Sequence, residues 1–181
     1  RLAAMASEIE RIRESMERFG LRVARDVPLP DGPAAAPFGS RTYFSWKGLV
    51  ILSQHVAVRD CGTAEVTAAD ARDLFDAGFR QAKKVNRVPL LRGLQFGYIV
   101  VPCLLVAQAG AELVAHAEAR PKKRWSLFEF PVVVVRGTGR VHYCRETALW
   151  GAAFFSDMRR CVERVIVDAV ASGAERPPGP A

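Results

Sequence analysis

The sequence lacks the short motifs that most often identify a catalytic or metal site. It contains no Cys-x-x-Cys or Cys-x-x-His pair, which is the spacing typical of structural zinc sites. It contains no Asp-x-Lys or Glu-x-Lys, and neither a Walker lysine nor a predicted helix follows the glycines of Gly137-Thr-Gly139. We therefore predict no metal and no cofactor, and the sequence disfavours an enzyme.

The chain also lacks long apolar runs and closely spaced cysteines. No run reaches the roughly 18–20 apolar residues that span a bilayer, and no hydrophobic region of signal-peptide type follows Arg1. The cysteines are far apart in a chain with enough apolar residues to fold without disulfides; they are Cys61, Cys103, Cys144 and Cys161. We expect a soluble cytoplasmic protein with reduced thiols and no membrane partner.

Histidine is scarce, and its spacing gives no support to a metal site. His142 and Cys144 fall on one face of a predicted strand, and His55 and His116 lie far away in sequence. We interpret these side chains as packed or exposed rather than as ligands. Glu129, between two phenylalanines, needs a partner if it is buried, and Arg136 and Arg145 are available.

The longest charge-free apolar stretch, from Gly93 to Gln108, is the expected centre of the fold. Its β-branched residues and flanking glycine are typical of a strand that is buried on both faces. Pro102 leaves two alternatives. Either a strand runs from about Leu94 to Ala107 with a bulge at the proline, or Pro102 opens a helix that continues to about Ala119. We favour the strand, followed by a short helix or irregular segment over 111–119.

The other elements predict a single α+β domain over residues 1–174, with a mixed or largely antiparallel sheet covered by two or three helices. The element order is helix, three strands, helix and strand, then a C-terminal hairpin and a helix. The predicted strands are 21–27, 41–46, 49–58, 127–135 and 141–144, and the two later helices are 67–86, with a capping box at its start, and 147–172. Residues 28–39 are a predicted Pro-rich surface loop, and 175–181 a disordered tail.

The N-terminal segment has a heptad-like apolar pattern that indicates a helix. Two interpretations remain open: the helix packs on its own sheet, or it forms a coiled coil with a protein partner or a second copy of the chain. The residues of this helix seam are Leu2, Met5, Ile9, Ile12, Met16 and Phe19.

The chain is basic, with a formal net charge of +7 and a pI of about 9.7, which favours anionic partners. Two groups of cations are candidates for contacts with a polyanion such as nucleic acid, one of them beside a tryptophan. The candidate residues are Arg120, Lys122, Lys123, Arg124 and Trp125, together with Lys83, Lys84 and Arg87. An ordinary solvated basic surface is the alternative.

The element order of residues 1–107 resembles that of the PD-(D/E)xK nuclease core. That family uses a strand carboxylate and a following Asp/Glu-x-Lys to hold a divalent metal and activate water. The nearest counterpart here, Ser45-Trp46-Lys47, lacks the acid. The resemblance therefore implies, at most, a degenerate relative that binds without cutting.

Two functional hypotheses follow. The first is a non-catalytic cytosolic binding or assembly module, since a well-specified core is present and a catalytic constellation is missing. The alternative is a nucleic-acid-binding protein with a degenerate nuclease-like domain.

Overall fold

The computed structural model describes residues 2–27, 36–46, 49–89, 95–121, 126–146 and 152–174. These residues form seven strands: β1 (Arg22–Val27), β2 (Ala36–Ser45), β3 (Val50–Asp60), β4 (Phe96–Val106), β5 (Leu127–Glu129), β6 (Val132–Val135) and β7 (Arg140–Tyr143). The helices are α1 (Leu2–Arg18), α2 (Ala68–Val85), α3 (Ala111–Glu118), α4 (Ala152–Val162) and α5 (Asp168–Ala174). A π-helical segment, Glu163–Val167, joins α4 to α5.

All of these strands belong to one mixed sheet. The order is β1-β2-β3-β4-β6-β7, and β5 pairs with β4 on the same side as β6. The central strand β4 runs parallel to β3, β5 and β6, whereas β1–β2, β2–β3 and β6–β7 are antiparallel pairs. The mixed sheet with its helices confirms the predicted α+β class.

Helices cover both faces of the sheet because its central strand is apolar on both sides. Every residue of β4 is buried, as the long apolar stretch predicted. Ile12 of α1 and Met158 of α4 belong to the core on one face. Leu74 of α2 and Leu113 of α3 belong to the core on the other face. Within the described ranges, no helix is long and apolar enough to cross a membrane.

Pro102 lies in β4 without the predicted bulge. The register between β3 and β4 continues unshifted through the Ala57–Pro102 pair. On the other side of β4, the Tyr98 amide donates to the carbonyl of Ser126, beside β5. Because the amides of alternate strand residues point to the same side, position 102 faces the break between β5 and β6. The proline removes an amide where the neighbouring ladder is already interrupted, so the bulge prediction is wrong.

The predicted loop over 28–39 is also wrong in part, because residues 36–39 belong to β2. Pro37 is tolerated there since the β1–β2 register shifts between Ala24 and Val27, which leaves no β1 partner opposite the proline. Residues 28–35 lie outside the described part of the chain.

Two more boundaries differ from the prediction. The strand predicted over 127–135 is divided into β5 and β6 at Phe130 and Pro131. The last helix, predicted to end at residue 172, continues to Ala174. Its predicted start at residue 147 and the tail over 175–181 lie outside the described residues.

The start of α2 agrees closely with the sequence. The Thr67 hydroxyl accepts a hydrogen bond from the Ala69 amide at 3.2 Å, and the Asp70 carboxylate accepts one from the Thr67 amide at 2.8 Å. This reciprocal pair satisfies amides that a helix start leaves without partners. The predicted capping box is confirmed.

Candidate functional site

The structure describes four of the predicted polyanion-binding residues, namely Lys83, Lys84, Arg87 and Arg120. Lys122, Lys123, Arg124 and Trp125 lie outside the described residues. Arg120 is exposed and forms an ion pair with Glu146, with Nε and Oε2 2.5 Å apart. Lys83, Lys84 and Arg87 are exposed around the C-terminal end of α2. Lys84 and Arg87 line a pocket.

The predicted helix seam packs mainly against the chain's own sheet. Ile12 and Met16 are fully buried in the core, and Ile9 and Phe19 are partly buried against it. The side chains of Leu2 and Met5 lie outside the described part. The burial of Ile12 and Met16 favours the intrachain alternative, because these two side chains have no surface left for a partner helix.

A pocket of about 690 Å³ opens where the C-terminal end of α2 meets the edge of the sheet formed by β1, β2 and β3. We call it the edge pocket. Its lining combines the exposed cations Arg22, Lys84 and Arg87 with hydroxyl groups and one imidazole, and no aspartate or glutamate is found among the described residues that line it. The lining residues are Gly20, Arg22, Ser40, Arg41, Thr42, Ser53, His55, Lys84, Val85, Arg87 and Val88.

Strand pairing assembles the floor of the edge pocket. Arg22 pairs with Ser40, and Ser40 pairs with His55, so these three side chains form one row on the face that α2 covers. Thr42 pairs with Ser53 in the next row of the same face. The two hydroxyls lie 3.3 Å apart, and a hydrogen bond of 2.8 Å joins Ser53 Oγ to His55 Nε2. The floor is therefore a connected polar group within an otherwise apolar sheet.

His55 is a neutral imidazole in this floor. Its side chain is 1% exposed and stacks on Phe38 with ring centroids 5.4 Å apart. Burial lowers its pKa to about 3, because an imidazolium loses its hydration there. Its Nδ1 atom has no hydrogen-bond partner among the described residues. His55 thus offers the pocket a polar ring without adding a charge.

Asn86 fixes the wall of the edge pocket. Its backbone amide donates to the Ala82 carbonyl at 3.0 Å and ends α2. Its side-chain oxygen accepts from the Val88 amide at 3.0 Å, and its side-chain nitrogen donates to the Tyr98 hydroxyl at 3.0 Å. Since Tyr98 pairs with Ser53 in the sheet, one asparagine connects the cation-bearing segment to the pocket floor.

Of the four cationic residues that line the edge pocket, Arg41 does not direct its guanidinium into it. The Arg41 guanidinium already donates to Gln54 Oε1 at 2.8 Å and to the Phe19 carbonyl at 3.2 Å, and it lies 4.0 Å from the Phe19 ring centre. Arg22, Lys84 and Arg87 are exposed. Arg41 pairs with Gln54, and its side chain projects from the opposite face of the sheet to its neighbours Ser40 and Thr42, so the charge of the pocket comes from the other three.

An exposed aromatic pair, Phe44 and Trp46, follows the pocket along β2. Phe44 is 45% exposed and Trp46 is 80% exposed, and their ring centres lie 4.8 Å apart in an edge-to-face arrangement. Phe44 projects from the same face as Thr42, two residues earlier, which corresponds to a separation of about 7 Å along the strand. The aromatic pair therefore continues the pocket floor toward the hairpin tip.

The remaining histidines lie beside carboxylates around α3. His142 Nδ1 lies 2.9 Å from Glu118 Oε1, and His116 Nε2 lies 4.0 Å from Glu129 Oε1. Glu129 thus has a histidine close by, whereas Arg136, one of the two arginines that the sequence suggested, contacts other carboxylates. Among the described residues, no group of three or more His, Cys, Asp or Glu side chains is arranged to hold a metal ion.

The cysteines are unpaired and poorly suited to act as nucleophiles. All four are free thiols. Burial raises the pKa of Cys61 to about 11 and that of Cys161 to about 12, and it also raises the pKa of Cys103 and Cys144. Because the thiolate is the reactive form, these shifts disfavour thiol chemistry near neutral pH.

The nuclease-like features are limited to the order of the elements. β1, β2, β3 and β4 are neighbours in the sheet in chain order, and β3 and β4 are parallel. Ser45, at the end of β2, is buried, and Lys47 lies outside the described residues. No family model, curated protein or solved structure matches the chain.

The sequence prediction found two lining residues of the edge pocket, Lys84 and Arg87, and missed its floor. A signal was present in β3, where Ser53 and His55 lie two residues apart and so fall on one face of a strand, with apolar residues before and after them. Combining that spacing with the β2–β3 hairpin would have placed Thr42 beside Ser53. The position of Arg22 required the β1–β2 register, which the sequence does not specify.

Proposed function

We propose that this protein is a non-catalytic binding module that takes a phosphate-bearing ligand in the edge pocket. The observation that carries the proposal is the lining itself, in which three exposed cations, Arg22, Lys84 and Arg87, adjoin three hydroxyl side chains without a carboxylate among the described residues. Phosphate oxygens accept hydrogen bonds from guanidinium, ammonium and hydroxyl groups. The volume of the pocket lies within the range typical of small-molecule sites, about 300–1,000 Å³.

The C-terminal end of α2 by itself repels an anion. The C-terminus of a helix carries a partial negative charge equivalent to about half an elementary charge. Lys84 and Arg87 supply two full positive charges at that end, and Arg22 adds a third from the sheet. The sum remains strongly positive. The helix end therefore fixes the positions of the cations without cancelling their attraction for an anion.

A binding role is favoured over catalysis because the Ser53–His55 pair lacks the features of an activated nucleophile. A serine nucleophile needs a base that is oriented by a third group and a path to the substrate. Here Ser53 is 1% exposed, and the Nδ1 atom of His55 contacts no orienting carboxylate in the described structure. The pair is better suited to holding the pocket floor in place.

Isothermal titration calorimetry with tripolyphosphate tests this proposal. We expect binding at about 50 mM salt that weakens at about 200 mM, because charge contacts in the pocket are screened. Lys84→Ala and Arg87→Ala should each weaken binding by roughly three- to tenfold, since an exposed charge contact is worth about 1 kcal/mol. Arg72→Ala, at the opposite end of α2, removes the same charge away from the pocket and should leave affinity unchanged.

Two results would contradict the proposal. Absence of binding at low salt excludes a phosphate site in the edge pocket. Equal losses for Arg72→Ala and Arg87→Ala show that overall charge, rather than the pocket, attracts the anion.

A further inference from the structure

We propose that the ligand of the edge pocket is single-stranded nucleic acid and that the aromatic pair, Phe44 and Trp46, stacks on its bases. This inference rests on the proposed function and names its substrate class. It is motivated by the position of the aromatic pair, which lies on the strand that forms the pocket floor and directly beyond it.

Both side chains of the aromatic pair are exposed to solvent. Large aromatic side chains are normally buried, and exposed apolar groups that adjoin a polar site mark an interaction surface. Trp46 is 80% exposed, and the nearby Leu49 is 63% exposed, at the other end of the hairpin turn. Phe44 and Trp46 contact each other, so they form one surface rather than two isolated side chains.

The neighbouring charge identifies the partner. An apolar protein partner would gain nothing from the cations that lie about two residues away along β2, whereas a nucleic acid needs both features. Aromatic rings stack on bases without strong sequence preference, and a basic groove holds the backbone. Arg22, Lys84 and Arg87 are the exposed cations of that groove. The formal net charge of +7 adds a long-range attraction of the same sign.

Single strands are favoured over a duplex because stacking on an exposed side chain requires unpaired bases. A base in a duplex is already stacked on both sides and must be flipped out before it contacts a ring, which costs free energy. The pocket has the dimensions of a nucleotide-sized site and not of a groove-spanning surface. The geometry thus places a phosphate in the pocket and the adjoining bases over Phe44 and Trp46.

Fluorescence anisotropy with labelled (dT)12 and (rU)12 tests the inference, with a hairpin duplex of equal length as a comparison. With three cations on phosphates, log affinity should fall with log salt with a slope of about −2, at roughly −0.7 per contact for a single strand. Arg87→Ala should reduce that slope by about 0.7. Comparing the two oligonucleotides distinguishes DNA from RNA.

Stacking is tested by Trp46→Ala and Phe44→Ala, with Leu49→Ala as the matched control. A stacked base is worth a loss of roughly 5- to 150-fold on alanine substitution, so both aromatic variants should lose affinity for the oligonucleotides. Leu49→Ala removes an exposed apolar side chain from the same turn without removing a ring, and it should change little. None of the aromatic substitutions should affect tripolyphosphate binding.

The outcomes separate this inference from the proposed function. If tripolyphosphate binds, and oligonucleotide affinity is the same in wild type, Trp46→Ala and Phe44→Ala, the stacking surface is refuted while the phosphate site stands. If the duplex binds as tightly as the single strands, the inference is also overturned. If neither tripolyphosphate nor oligonucleotide binds at low salt, both proposals fail together.

Discussion

The side-chain amide of Asn86 donates to the Tyr98 hydroxyl at 3.0 Å, and so ties the end of α2 to the central strand of the sheet. The same asparagine holds the Val88 amide, which lies immediately beyond Arg87. A cation attached to a loose helix end would lose conformational entropy on binding an anion. Asn86 reduces that cost by fixing the backbone on both sides of Arg87.

Asn86→Ala should therefore affect both stability and binding. Removing hydrogen bonds that satisfy partly buried groups is expected to lower the free energy of unfolding by about 1–3 kcal/mol, as measured by urea denaturation. Tripolyphosphate affinity should fall several-fold in calorimetry, under conditions where the variant remains folded. Tyr98→Phe removes the hydroxyl alone and should show a smaller effect in the same direction. Unchanged affinity in folded Asn86→Ala would show that the asparagine does not position the cations.

The capping box of α2 gives a prediction that is independent of the ligand. Thr67→Ala removes the acceptor for the Ala69 amide and should lower the free energy of unfolding by about 1 kcal/mol. Thr67→Ser keeps the hydroxyl and should retain most of the stability. Urea denaturation of the three proteins measures the difference. If Thr67→Ser lowers the free energy of unfolding as much as Thr67→Ala does, the threonine methyl group and not the hydroxyl is responsible.

The same box should make the wild type sensitive to acid. The Thr67 amide, by donating to the Asp70 carboxylate, lowers the pKa of that group below its ordinary value. The folded state therefore favours the ionised form, and the contribution is present above the unfolded pKa and lost as pH falls through the folded pKa. Asp70→Asn should show a weaker decline in stability on acidification than the wild type.

Features that depend on neighbouring residues were predictable from the sequence, and α2 is the clearest example. The spacing of Thr67 and Asp70 is a local signal, and the helix begins where that signal lies. The β2–β3 hairpin and the two faces of β3 could also be predicted from neighbouring residues. The two-residue repeat of a strand fixes which of its side chains share a face. The buried centre followed from the length of one apolar run.

Features that depend on strands distant in the sequence were not predictable. Pro102 indicated a bulge because a proline removes a ladder hydrogen bond, but the break between β5 and β6 makes that bond unnecessary. The edge pocket likewise depends on residues that are distant in the sequence. Arg22 meets Ser40 only through the β1–β2 register, and Arg87 approaches them only because α2 crosses the sheet.

A buried charge network on the opposite side of the fold gives a further prediction. Arg136 lies between Glu8 of α1 and Asp60 at the end of β3, with Nε–Oε2 and Nη1–Oδ1 distances of 3.1 and 2.8 Å. The side chains of Arg136 and Glu8 are only 13% and 11% exposed. The N–H directions do not meet hydrogen-bond geometry, so the attraction is mainly electrostatic.

Removing one member of this network should destabilise the folded protein, because the remaining buried charge has no opposite charge beside it. Arg136→Ala is expected to lower the free energy of unfolding by about 3–5 kcal/mol in urea denaturation. The double variant Glu8→Leu/Arg136→Met replaces the buried pair with apolar groups and should recover much of that loss. If the double variant is no more stable than Arg136→Ala, the loss does not come from the uncompensated charge of Glu8.

The neutral state of His55 predicts how stability depends on pH. Burial lowers its pKa to about 3 from an ordinary value of 6.5, so the unfolded chain takes up a proton on acidification well before the folded protein does. Between these two values the unfolded state binds more protons. The free energy of unfolding therefore falls as pH drops, by at most about 1.4 kcal/mol per pH unit from this residue.

Urea denaturation between about pH 7 and about pH 4 measures this dependence, with limits set by the ordinary and folded pKa values. His55→Gln cannot titrate and should give a flatter profile, even if it is less stable at neutral pH because the stacking on Phe38 is lost. His142→Gln removes a half-buried histidine elsewhere and should leave the contribution of His55 in place. Parallel profiles for the wild type and His55→Gln would show that His55 takes up its proton equally in the folded and unfolded states, which is incompatible with a buried neutral ring in the pocket floor.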